Sequence, residues 1–253
     1  MRRIHHLAAL LCAAAAPAAL ASFHLMLIDE IFSSPDGRVQ YIELRATSNN
    51  QTQLQNTRIV AFDPTGAVET LVIDITTSLP ALNSGETWIV ATPCFENAAG
   101  FVPDYVIPSA GLIPGPDGRI VFRNDANTSI PDAVAYGAYT GANSPFGTPA
   151  AALPMDGTNA LQRVSTTTPD NNSVNFAAGG NSPRRNDGMT ATLDLRPCAG
   201  DTNFDRLINF ADINIVLGEF NQSGACLRGD LNGDGSVNFA DLNIVLGNFN
   251  TGC

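Results

Sequence analysis

The last fifth of the chain is an internal duplication, and no other feature restricts the possible folds as much. Residues 200–222, GDTNFDRLINFADINIVLGEFNQ, recur at 229–251 as GDLNGDGSVNFADLNIVLGNFNT, with 15 of 23 aligned positions identical at an offset of 29 residues. In the second copy, counted from Asp230, oxygen-bearing side chains fall at positions 1, 3, 5, 9 and 12: Asp230, Asn232, Asp234, Asn238 and Asp241. Gly235 stands at position 6, where such a loop turns sharply with positive φ. This is the spacing of an EF-hand calcium loop, in which a hard cation takes six to eight oxygens from one twelve-residue wrap. The carbonyl of Ser236 adds the position-7 ligand, and Asn238 is expected to act through water. The first copy repeats the pattern with Asp201, Asn203, Asp205, Asn209 and Asp212 and the carbonyl of Leu207. It carries Arg206 at position 6, and a side chain at positive φ costs on the order of 1 kcal/mol, so the first site is expected to be the weaker. Two Ca²⁺ ions are thus the expected cofactors, and the stability of the module is expected to depend on them.

Behind each loop the apolar residues recur at helical spacing: Phe210, Ile213, Val216, Leu217 and Phe220, then Phe239, Leu242, Val245, Leu246 and Phe249. Two amphipathic helices that pack on each other are predicted. No helical pattern precedes either loop, which separates the module from an ordinary EF-hand pair.

This loop–helix duplication over about 200–253 resembles the type I dockerin family. The resemblance implies a non-catalytic module that binds two Ca²⁺ and docks onto a cohesin-like domain, often joining secreted proteins to a polysaccharide-degrading assembly or to a cell surface. Positions 10 and 11, partner-reading polar residues in well-known dockerins, are Phe-Ala in both copies (Phe210-Ala211 and Phe239-Ala240). Their phenylalanines are expected in the core; exposed, they would form an apolar docking patch. The pseudo-twofold arrangement of the family also brings the two ends of the module together. It therefore implies a Cys198–Cys253 bond, with Cys198–Cys226 or Cys226–Cys253 as alternatives.

The chain opens with MRRIHHLAALLCAAAAPAALAS, basic residues before an apolar run that ends in Ala19-Leu20-Ala21, and residues 1–21 read as a secretory signal peptide. No later segment has the length and apolarity of a membrane span. The expected location is extracellular or cell-surface. Beyond the signal stand four cysteines, Cys94, Cys198, Cys226 and Cys253, an even number that favours disulfides in an exported protein and allows three connectivities. Beyond the signal there is also one histidine, His24, read as an ordinary residue of the first strand, and the chain contains no lysine. Histidine-based triads, His-rich zinc sites, Schiff-base chemistry and lysine-dependent phosphate loops thereby lose their usual residues. The net charge of -11 repels phosphate backbones, so nucleic acid is excluded as a partner.

From 22 to about 183, short β-rich runs alternate with turn clusters. FHLMLIDEIF, RVQYIELRA, TRIVAF, ETLVIDI, ETWIVAT, GRIVFRN, DAVAYG and NALQRV are separated by SSPDG, DPTG, LNSG and PGPDG, which predicts seven or eight strands in an all-β sandwich. Residues 184–199 read as a linker with an edge strand in TATLDL and a solvated Arg184-Arg185 pair. The segments YIEL, LQR and NSPRRN, within about 23–187, are similar to the lamin-tail domain family, which implies an immunoglobulin-like sandwich with a binding or structural role. The fold class is thus mainly β: an immunoglobulin-like sandwich followed by a small all-α, dockerin-like domain.

The carboxylates Asp29, Glu30 and Glu43 can be read as the acid/base pair of a glycosidase. Alternation places Glu43 beside Tyr41 and opposite Ile42 and Leu44, which fits a solvated charge or a partner of Arg45 or Arg163 equally well. Trp88, the single tryptophan, reads as core rather than as a sugar platform. The expected function is calcium-dependent docking by a non-catalytic secreted protein. The alternatives are a polysaccharide-acting hydrolase with a dockerin tail and a purely structural surface protein.

Overall fold

A computed structural model describes residues 25–253. The expected signal segment and His24 lie outside the described residues. In chain order the first elements are β1 (Met26–Ser33), β2 (Gln40–Ala46), β3 (Thr57–Phe62), β4 (Glu69–Ile75), β5 (Thr87–Ala91), α1 (Phe95–Ala99) and β6 (Tyr105–Val106). There follow β7 (Gly118–Asn124), β8 (Asp132–Tyr136), β9 (Asn159–Arg163), α2 (Asn172–Asn175), β10 (Phe176–Gly180), α3 (Phe210–Gly218) and α4 (Phe239–Gly247). All eight segments singled out by their β-branched and aromatic runs are strands. Two strands lacked that signal: β6 is a two-residue pairing, and β10 is built of Phe, Ala and Gly.

The protein is mainly β, in two sheets. One has the order β10-β9-β1-β2-β5-β6, the other β4-β3-β7-β8, and every pairing is antiparallel except β5 with β6. Ile28, Ile31, Ile42, Leu44, Trp88 and Val90 of the larger sheet meet Ile59, Val72, Ile120, Phe122, Val134 and Tyr136 of the smaller in one buried core. Trp88 is fully buried, edge-on to Tyr105 and Phe122, so it offers no stacking surface for a ligand. Among the described residues no helix is long and apolar enough to cross a membrane.

A bulge in β1 decides which carboxylates face where. The β1–β2 register slips between Ile28 and Glu30, so Ile28 and Ile31 both enter the core while Glu30 pairs with Glu43 on the opposite face. That outer face is covered in turn. Phe32, Tyr41 and Ile89 pack beneath Phe95, Phe101 and Leu193, so β2 and β5 are buried on both sides.

The segment 184–199 is fixed to this face rather than left as a free linker. Asn181 exchanges hydrogen bonds with Leu193, donating to its carbonyl at 2.8 Å and accepting from its N–H at 2.7 Å. TATLDL forms no strand; Thr190 makes only an isolated bridge to Arg184. The Arg184-Arg185 pair is partly solvated, Arg184 with half its side chain exposed, but both residues are anchored to the sheet. Arg184 donates to Glu43 through its backbone N–H at 2.6 Å and its guanidinium at 3.4 Å, and Arg185 lies 3.8 Å from Asp104. Arg45 pairs instead with Asp29, and Arg163 with Asp132, both sequence-proposed partners of Glu43 thus being engaged elsewhere.

Burial pushes the Glu43 carboxyl up to about 8 from an ordinary 4.5, against the opposing pull of the Arg184 N–H and guanidinium. Between those two values the folded protein holds a proton that the unfolded chain has released. Stability is therefore lost as pH rises through this window, by up to roughly 1.4 kcal/mol per pH unit for the one proton. Glu43→Gln, which mimics the protonated acid, is expected to flatten that slope; urea unfolding of both proteins at about pH 5 and about pH 8 measures it. An unchanged slope would show that Glu43 titrates alike in both states.

Candidate functional site

The two loops run from Asp201 to Asp212 and from Asp230 to Asp241, and their hydrogen bonds repeat almost atom for atom. In each, the position-3 asparagine accepts from the N–H of position 5, Asp205 at 3.0 Å and Asp234 at 2.9 Å. The position-5 carboxylate accepts from the N–H of position 7, Leu207 at 2.8 Å and Ser236 at 2.9 Å. The position-12 carboxylates are fully buried and reach across the loop. Asp212 accepts from Thr202 N–H at 2.8 Å and Asn209 N–H at 2.9 Å, and Asp241 from Leu231 at 3.0 Å, Asn232 at 3.2 Å and Asn238 at 2.9 Å.

Asn209 and Asn238, expected as ligands through water, have a job that the ligand spacing alone did not suggest. Each caps its helix, accepting from Ala211 at 2.7 Å and Ala240 at 2.8 Å, while Asp212 and Asp241 complete a capping box from the third helical position. The signal for this lay in the sequence as N-x-x-D before an apolar run. Loop and helix are therefore one unit, because a single aspartate closes the loop and satisfies the helix start.

Position 6 adopts positive φ in both loops, +71° at Arg206 and +84° at Gly235. Position 4 does so as well, +63° at Phe204 against +73° at Gly233, so the first loop holds two side chains where the second holds two glycines. Arg206 recovers part of this strain by donating to the Cys253 carbonyl at 2.7 Å.

α3 and α4 lie antiparallel. The start of each loop-helix unit pairs with the end of the other, Asn250 N–H donating to Ile208 at 2.8 Å and Asn221 N–H to Val237 at 2.8 Å. Their shared core is Ile208, Val216, Val237 and Val245, flanked by Ile213 and Leu242. The expectation that both phenylalanines are core is corrected here: Phe210 is 70% exposed and Phe239 69%. Each apolar stripe is wider than the face one neighbouring helix can cover. Val216 and Val245 therefore take the contact, while Leu217 and Leu246 stay outside with the phenylalanines. Phe210 meets Phe249 edge-on, and Phe239 meets Phe220, both at 4.9 Å between ring centres.

Asp201 and Asp230, the first donors of the two loops, are both buried. Asp201 takes Asp205 N–H at 3.2 Å and Arg206 N–H at 2.9 Å; burial moves its carboxyl above the usual range, and the charge of Asp212 adds to this. Asp230 takes only Gly235 N–H at 3.1 Å, through Oδ2, and its Oδ1 is buried without any hydrogen-bond partner. A carboxylate oxygen without water, donor or cation is costly. The donor chemistry of the loop, carboxylates, amide oxygens and a carbonyl, fits a hard divalent cation that would satisfy it.

The two disulfides are Cys198–Cys253 and Cys94–Cys226. The first is the pairing the family resemblance implied, and the alternatives involving Cys226 are excluded. The second, which ties the module to the sandwich, borders a cavity of about 190 Å³ that Arg38, Asp201, Phe204 and Asp230 also line. In comparisons with known proteins, the chain matches no protein-family model and no curated protein.

Proposed function

We propose that this is a secreted, non-catalytic protein whose C-terminal module binds two Ca²⁺ ions and docks, by an apolar helix face, onto a protein partner of the cohesin type. The sandwich, which we read as immunoglobulin-like and of lamin-tail kind, is the cargo so anchored at an extracellular or cell-surface assembly. The observation that carries this reading is the buried, unpartnered Oδ1 of Asp230 at the first position of a duplicated loop with EF-hand donor spacing. Asp201, Asn203, Asp205, Asp212 and the Leu207 carbonyl would hold one ion; Asp230, Asn232, Asp234, Asp241 and the Ser236 carbonyl would hold the other. Because Asp212 and Asp241 both close their loops and cap α3 and α4, calcium held by them would add its binding energy to the same loop–helix units.

The exposed Phe210, Leu217, Phe239 and Leu246 support docking, since these large apolar side chains lie outside the contact between α3 and α4 and are open to a partner. With Phe-Ala where the dockerin family carries polar residues, the partner would be read by apolar contact. The hydrolase alternative has no support from its candidate acids. Glu30 is buried among Tyr41, Gln162 and Ser182, and Glu43 beneath Arg184.

Calorimetric calcium titration of residues 22–253, first stripped with chelator, is expected to count two ions, the tighter at the second loop. A titration with no binding overturns the proposal.

A further inference from the structure

Neither loop is entered from a helix, so the segment leading into each must be held by something else. For the first loop that is the Cys198–Cys253 bond and Arg206 on the Cys253 carbonyl. For the second it is the sandwich. Arg38, on the turn between β1 and β2, donates to the carbonyls of Asp230 at 3.2 Å, Ala225 at 3.1 Å and Leu227 at 3.5 Å. Asn97 donates to the Cys226 carbonyl at 2.6 Å, Arg228 donates back to Asn97 at 2.9 Å, and Cys94 binds Cys226 covalently. Sandwich groups thus hold four of the six carbonyls between 225 and 230. Arg38 is itself set in place, its N–H on Asp36 at 3.0 Å and its carbonyl taken by Thr92 at 2.8 Å.

We propose that the sandwich serves as the missing entering element of the second calcium loop, with Arg38 as the positioning residue that pre-organises Asp230. This rests on the calcium reading above. The guanidinium is 3.8 Å from Asp230 Oδ2, outside hydrogen-bonding distance, and its donors go to backbone carbonyls. It fixes the path of the chain into the loop while leaving the carboxylate available. Its positive charge opposes a bound cation, but at a side chain one-third exposed that repulsion is screened, and the ordering effect dominates. The coupling is reciprocal: calcium in the second loop must strengthen the seating of the module on the sandwich by the same factor. The sandwich and the module, already joined by Cys94–Cys226, are thereby coupled through calcium as well.

The test uses residues 22–253 with Asp201→Ala and Asp205→Ala, so that only the second loop binds, and calcium titration by calorimetry. Arg38→Met, which keeps the apolar stem, and Arg38→Lys, which keeps the charge but loses the planar fork, are each expected to weaken the site about tenfold, as loss of an outer-shell partner does. In the complementary background, Asp230→Ala with Asp234→Ala, the affinity of the first loop is expected to be unchanged by either substitution. Equal or tighter binding in Arg38→Met overturns the proposal, as does equal weakening of both loops, which would report general loss of structure. Weakening by Met but not by Lys would assign the effect to charge and overturn the pre-organising role. If the parent binds no calcium in either loop, the functional reading itself fails and this inference with it.

Discussion

Asp241→Ala is expected to abolish the second calcium site and to destabilise the C-terminal module, even without metal, by about 3 kcal/mol or more. The size follows from what the carboxylate does. It is fully buried and accepts from the N–H groups of Leu231, Asn232 and Asn238, and the last of these completes the cap of α4. Alanine leaves three donors without an acceptor and removes the acid from the first helical turn, where it also favours the helix dipole. Asp241→Asn keeps one acceptor oxygen and is expected to cost less. Urea unfolding in chelator, followed by helical circular dichroism, reads the metal-free loss. Repetition in calcium should widen the gap to the unsubstituted protein, which gains from both sites while the variant keeps only the first. A stability within experimental error of the parent's in chelator would refute the role given to Asp241.

Replacing Cys94 and Cys226 together by alanine is expected to lower stability by roughly 4–5 kcal/mol, the chain-entropy value for a loop of over a hundred residues. The bond joins positions 132 residues apart, and because closure entropy grows only slowly with loop length, its loss costs slightly more than loss of the Cys198–Cys253 closure, at a separation of 55, would. The module should then unfold before the sandwich, seen as loss of helix at lower urea than loss of strand. A change below about 1 kcal/mol would mean that the unfolded chain is already restrained between these positions, and the entropic account would fail.

How much of this was legible beforehand depends on the range of the interaction. The donor spacing in both loops, the positive φ at position 6 and the helices behind them are written within a dozen residues each, where backbone geometry leaves few choices. The eight strongest strands were equally plain, because β-branched alternation between Gly- and Pro-bearing turns is a local signal. β6 and β10 escaped because they are strands by pairing, not by propensity. Asn209 and Asn238 could have been recognised as caps from the same residues that suggested ligands.

The phenylalanine stripe shows where local pattern stops. Helical spacing puts Phe210, Ile213 and Val216 on one broad side, but only the crossing of α3 and α4 decides which edge is covered. Glu43 shows it more sharply. Alternation put it opposite Ile42 and Leu44, yet its burial comes from Arg184, 141 residues later in the chain. Arg38 at the mouth of the second loop left no trace in the sequence, and Cys94 left only the arithmetic of an even cysteine count. By itself, then, the sequence determined eight of the strands, the two loops and the helices behind them, and an oxygen-donor spacing like that of a cation-binding loop. Only the tertiary structure decided which groups are buried, which face stays open and that the module is bolted to the sandwich, because those outcomes depend on packing between segments whose separation along the chain carries no local signature.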